Sequence, residues 1–129
     1  MTRQAVSTTG APGAVGPYSQ AIVTDDLVFC SGQVGLDPAT GELVSGGVEA
    51  EAMRVIRNLE AVLDAAGCTL ADVVKTTCFL ADIADFQKFN AVYAGFWPDP
   101  PPARSTFQVA ALPRGAQVEI EATAVRKRG

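Results

Sequence analysis

The chain of 129 residues contains no histidine. That removes the side chain that most often carries protons near neutral pH and leaves few routes to acid–base chemistry. Cysteine is scarce: Cys30, Cys68 and Cys78 are an odd number, widely spaced, with no Cys-x-x-Cys pair. A zinc site draws on clustered Cys and His ligands, so no metal is expected. Cys30 and Cys78 fall in apolar strand-like runs, which fits buried, reduced thiols in a cytosolic protein.

Long apolar runs are also missing. Nothing approaches the roughly 20 apolar residues of a membrane span, and the opening Met-Thr-Arg-Gln-Ala-Val lacks the apolar stretch of a signal peptide. These absences lead to the expectation of a soluble, cytoplasmic protein. Positive charge is in deficit, with 10 Lys and Arg against 14 Asp and Glu and a formal net charge of −4. A general nucleic-acid surface needs a positive field, so that class is disfavoured. The basic tail Arg126-Lys127-Arg128 reads as a solvated end. No linker, repeat or low-complexity block interrupts the chain.

What remains is a composition that can bury a core: 48% apolar residues against 19% charged. One domain over residues 1–129 is the natural reading. Domains of this size are marginal alone, and association would help.

Thr8 to Pro17 is rich in Gly and Pro and reads as a loop. Tyr18–Val23 reads as a short strand, Asp25-Asp26 as a tight turn and Leu27–Gln33 as a second strand, together a hairpin. Gly32 inside that strand marks a bulge or a close approach by a ligand or another backbone. Asp37 to Gly41 is a turn by composition.

The clearest helix is 48–66, with Val48, Ala52, Val55, Ile56, Leu59, Val62, Leu63 and Ala66 on one stripe. Glu49 and Glu51 suit the positive end of its dipole, and Gly67 its C-terminal stop. A strand rich in β-branched residues follows over 72–80. A second helix is expected over about 85–96, with Phe86, Phe89, Tyr93 and Phe96 as its stripe, ended by the prolines from Pro98 to Pro102. Strands over about 103–109 and 117–126 close the chain, with a turn at Leu112–Gly115 between them.

The order β, β, α, β, α, β, β is an α+β pattern. Each helix has one apolar stripe, so both are expected on one face of one sheet. Glu119, Glu121 and Thr123 then lie on the other face, for which a second copy of the chain is the economical cover.

Arg104 and Glu119 are the residues from which chemistry can be built. A fixed guanidinium with a strand carboxylate suits a small substrate that carries its own carboxylate. A simple hairpin of the last two strands would set Arg104 opposite Thr123 or Ala124, roughly 15 Å from Glu119 at a rise of ~3.3 Å per residue. The pair can meet only if these strands are not neighbours and Arg104 reaches a site on an adjacent subunit.

Three segments resemble one family. They are Gly16-Pro-Tyr-Ser-Gln-Ala21, Cys30-Ser-Gly-Gln33, and Pro102-Ala-Arg-Ser-Thr-Phe-Gln-Val-Ala-Ala-Leu-Pro113 followed by Val118-Glu-Ile-Glu-Ala122. The family is the YjgF/YER057c/UK114 group, also called reactive intermediate deaminase A, and the likeness covers nearly the whole chain. The C-terminal segment is specific, whereas Ser-Gly-Gln alone would be weak. The resemblance implies a fold like Bacillus chorismate mutase: a six-stranded mixed sheet with two helices on one face, assembled as a homotrimeric barrel with sites between subunits. It places the last strand beside the Ser-Gly-Gln strand and the Arg104 strand apart. It also implies hydrolysis of 2-imino acids such as 2-iminobutanoate and 2-iminopropanoate to 2-keto acids and ammonia, with no cofactor or metal.

On this resemblance Arg104 binds the substrate carboxylate through its planar fork, which a lysine cannot match. The alternative for an isolated arginine is a surface ion pair. Glu119 positions or deprotonates the attacking water. Strand parity alone does not separate Glu119 from Glu121, and the family match selects Glu119. Tyr18 closes the pocket or packs in an interface, and the two roles can coexist. Ser31 and Gly32 offer backbone or hydroxyl contacts, with a satisfied strand hydroxyl the alternative for Ser31. Asn90 matches a polar position of the family's second helix, and a structural hydrogen bond to a loop is its other reading. Thr106 stands where many relatives carry cysteine. It shares a strand face with Arg104 and is expected to line the cleft, without sensitivity to thiol reagents. Two other functions stay in competition: endoribonuclease or translation inhibitor, and a non-catalytic trimer that binds small metabolites.

Overall fold

The computed structural model describes residues 3–126. Lys127 and Arg128 of the basic tail lie outside the described residues. Six strands form one sheet in the order β1-β2-β3-β6-β4-β5. They are β1 (Gln4–Val6), β2 (Ala21–Val23), β3 (Leu27–Val34), β4 (Val73–Leu80), β5 (Ala103–Gln108) and β6 (Val118–Val125). Only β4 and β5 run parallel; every other pair is antiparallel. Two helices, α1 (Gly47–Ala65) and α2 (Phe86–Tyr93), complete the α+β fold. No helix among the described residues is long and apolar enough to cross a membrane.

The hairpin of β2 and β3 forms as expected, but β2 spans three residues rather than six. Its missing half follows β3 by irregular bonds. The Ser31 N–H donates to the carbonyl of Gln20 (2.9 Å), and the Gln20 side chain turns inward. β1 has no signal in the sequence, because Gln-Ala-Val is too short to carry a period. Helix α1 matches its expected span, and Gly67 follows its end at φ 80°. Its stripe from Val48 to Leu63 is buried, joined by two polar residues. Asn58 is fully buried and donates from Nδ2 to the carbonyls of Val34 and Leu36. Glu51 is not a solvated dipole charge: it is 2% exposed and accepts the Gln117 N–H at 2.8 Å. Burial pushes its carboxyl above the usual range. Helix α2 is shorter than expected, with a 3-10 turn at Ile83–Asp85 ahead of it.

Val28, Cys30, Thr76, Cys78, Leu80, Val118, Ile120, Ala122 and Ala124 face the helices and are buried. All three cysteines are free and buried, and burial raises Cys30 to about 12 and Cys78 to about 11. On the opposite face stand Glu119, Glu121 and Thr123, with Phe29 and Phe107 each 45% exposed.

Candidate active site

The last two strands are not a hairpin. β5 pairs with β4, β4 with β6, and β6 with β3. Arg104 is in register with Thr76, and Thr76 with Ala122. Since Thr76 and Ala122 point to the helices, so do Arg104 and Thr106, by the alternation of side chains along a strand. Glu119 pairs with Val34 and Phe79 and points the other way. The two residues expected to act together therefore lie on opposite faces of the sheet of one protomer, and each opens to its own cavity.

The Glu119 cavity, of about 650 Å³, is lined by Tyr18, Ser31, Gly32, Arg114 and Glu121 among others. A bulge builds it. Cys30 is opposite Ala122 and Gln33 opposite Ile120, so Ser31 and Gly32 together face the single residue Glu121. Gly32 is glycine for space: a Cβ there would overlap Oε2 of Glu119. Burial first, and then the charge of Glu121, hold the Glu119 carboxyl above its ordinary range. Ser31 Oγ donates to the Ser19 carbonyl at 2.6 Å, which leaves only its oxygen lone pairs for a ligand. Tyr18 is half exposed at the rim, its hydroxyl oxygen accepting the Val15 N–H at 3.4 Å.

The Arg104 cavity, of about 480 Å³, lies beside α2 and is lined by Asn90, Tyr93, Trp97 and prolines of the 98–102 segment. Nη1 of Arg104 donates to Oδ1 of Asn90 at 2.8 Å. The guanidinium carbon lies 4.8 Å from the Tyr93 ring centre, 5.6 Å from Phe86 and 5.8 Å from Phe89. No carboxylate stands within ion-pair distance of Arg104 among the described residues. The Asn90 side chain thus lines this cavity and bonds to the arginine rather than to a loop. Thr106 shares the face of Arg104 as expected, yet it lines neither cavity, and its hydroxyl is buried beside its register neighbour, the Cys78 thiol. No group of three or more His, Cys, Asp or Glu side chains converges among the described residues.

Three residues escaped the sequence reading. Gln20 lies inside the Gly16–Ala21 motif, where no local pattern marks its side chain as a tie. Its side chain accepts the Thr8 N–H (2.7 Å) and donates to the carbonyls of Thr8 and Pro12, tying the glycine-rich loop over the Glu119 cavity. Tyr93 reads as one more core aromatic at helical spacing, and nothing local marks it as a partner of Arg104. Arg114 reads only as a turn residue. It takes the left-handed conformation (φ 62°) and donates from Nη2 to the Gly41 carbonyl at 3.0 Å.

The family described as Endoribonuclease L-PSP matches residues 8–126. The human 2-iminobutanoate/2-iminopropanoate deaminase is 50% identical over 126 residues, which cover 98% of this chain and 92% of the human protein. The crystal structure of RidA from Psychrobacter sp. PAMC 21119 superposes with a TM-score of 0.92 at 46% identity, covering 95% of this chain and 99% of that one. E. coli TdcF, crystallised with bound serine, gives a TM-score of 0.91 at 40% identity over 96% of this chain and 99% of its own.

Proposed function

Since the chain belongs to the YjgF/YER057c/UK114 family, the reactive intermediate deaminases, we propose that it hydrolyses 2-imino acids, 2-iminobutanoate and 2-iminopropanoate among them, to 2-keto acids and ammonia. The observation that carries this reading is an unmatched cation. Arg104 is partly buried and held on one side by Asn90 and aromatic faces, with no carboxylate to neutralise it among the described residues. Such a fork suits the carboxylate of a small substrate.

The reading also takes the site to be shared between subunits of a homotrimer. Arg104 of one protomer and Glu119 of its neighbour then meet across the interface, with Tyr18, Ser31 and Gly32 around the reacting carbon. The exposed Phe29 and Phe107 on the helix-free face favour association, which would take their apolar surface out of water. Water adds to the imine carbon as Glu119 takes one of its protons. That proton passes to nitrogen, the C–N bond breaks as the new hydroxyl gives up its proton to Glu119, and ammonia leaves the keto acid behind. The protonated imine is electrophilic already, so orientation and one nearby charge supply most of what the reaction needs. No step in this scheme calls on a cofactor or metal. RNA cleavage is not favoured: the net charge is −4 and histidine is absent. A purely binding trimer would need Arg104 but not the Glu119 carboxylate.

The test couples the protein to a threonine dehydratase that releases 2-iminobutanoate in place. Faster appearance of 2-oxobutanoate, with less imine trapped by semicarbazide, is the expected result. An unchanged rate of keto-acid formation would refute the assignment.

A further inference from the structure

We infer that Tyr93 and Asn90 are positioning residues that set the orientation of the Arg104 guanidinium, with Thr76 locking Tyr93 in place. The inference rests on the proposed role of Arg104 and extends it to residues that act through the guanidinium.

The geometry forms a closed loop. Thr76 is the register neighbour of Arg104 in the β4–β5 ladder. Its Oγ1 is 2.7 Å from the Tyr93 hydroxyl in a buried hydrogen bond. Tyr93 is 6% exposed and wedged between Phe89 and Trp97, with ring centres 5.4 and 5.2 Å away. Its ring returns to Arg104 at 4.8 Å. The ring is thus tied at its hydroxyl to the residue beside Arg104, while its face carries the cation.

Asn90, three residues before Tyr93 on α2, holds Nη1 from a second direction. Among the described residues these contacts leave Nη2 and Nε without a hydrogen-bond partner. That edge can take a carboxylate through two parallel donors. The choice of a neutral amide matters. An asparagine oxygen orients the cation and leaves its charge for a ligand, whereas a carboxylate in the same place would compete with the substrate. Aromatic faces attract the cation without satisfying its donors.

The experiment measures KM and kcat for imine hydrolysis in Asn90→Asp, Tyr93→Leu and Tyr93→Phe, beside Arg104→Ala. Calorimetric titration of each variant with pyruvate and a thermal melt accompany the kinetics. Asn90→Asp is near-isosteric, and it should raise KM and weaken pyruvate binding about tenfold or more through an internal ion pair, with little change in kcat. Tyr93→Leu should raise KM about tenfold by removing the platform. Tyr93→Phe keeps the ring but cuts its tie to Thr76, so it should raise KM by a smaller factor than Tyr93→Leu, about threefold. If Tyr93→Leu fails to fold, Asn90→Asp decides. KM values unchanged in Asn90→Asp and in any folded Tyr93→Leu, alongside an inactive Arg104→Ala, would overturn this inference and leave the function standing. A fully active Arg104→Ala would overturn this inference together with the proposed role of Arg104.

Discussion

Arg104 and Glu119 point to opposite faces of the same sheet: Arg104 extends the row of Thr76 and Ala122 toward the helices, while Glu119 lies beside Phe79 on the bare face. No rotamer change brings them together within one protomer, so a reaction that uses both needs two copies of the chain. If the proposed trimer forms, the two variants should therefore rescue each other in mixed assemblies. Arg104→Ala and Glu119→Ala are each expected to be inactive alone. Refolded together, they should recover about a quarter of the parental sites by random assembly of a symmetric ring. Activity measured after co-refolding checks this, and complete inactivity of the mixture would argue for a site within one chain.

Arg104→Ala should lower kcat/KM at least ~100-fold, given that charge-assisted bonds contribute about 1.5–3 kcal/mol each. The oligomer should be unchanged by light scattering. Arg104→Lys should recover little, since a point charge does not reproduce the paired donors.

Glu119→Gln should reduce kcat by roughly 10²–10⁴-fold, the usual range for a lost proton acceptor. Pyruvate binding, followed by calorimetry, should persist. Turnover that survives this substitution would remove Glu119 from the chemistry.

Gly32→Ala should be among the most damaging small substitutions. The added methyl would occupy the space of the Glu119 carboxylate, so the carboxylate must move. A fall in kcat of at least about tenfold is expected, because small displacements of a reacting group are expensive. Circular dichroism and light scattering should show fold and assembly retained.

The pH profile should report on Glu121. Burial and the neighbouring Glu121 charge raise the Glu119 pKa, and Glu119 must be ionised to accept a proton. Arg104 of the adjacent protomer pulls the other way in the proposed site, so the Glu121 contribution is read by substitution. Glu121→Gln removes the like charge, lowers the Glu119 pKa and shifts the acidic limb of kcat/KM downward. Arg114 lines the same cavity and is retained in both proteins, so the shift is read against a constant background.

Local patterns were legible because they depend on residues close in sequence. The 3,4-spacing of Val48 to Leu63 gave α1 almost to the residue, and the Asp25-Asp26 turn gave the β2–β3 hairpin. Gly32 announced its bulge, since a strand accepts a glycine where something else needs the room. Buried polar residues were not legible. Nothing in the order of residues says that Glu51 will meet the Gln117 N–H or that Asn58 will hold the end of β3, because those partners are 66 and 22 to 24 positions away.

The residue types and their alternation determined that Arg104 and Thr106 share one strand face, that Glu119 and Glu121 share another, and that no histidine chemistry is available. Only the tertiary structure decided that the two faces are opposite ones, that β4 separates β5 from β6, and that Asn90 and Tyr93 close on Arg104. The physical reason is that side-chain parity is a property of one strand. Strand order and helix placement follow from the burial of apolar area summed over the whole chain, which no short window of sequence contains.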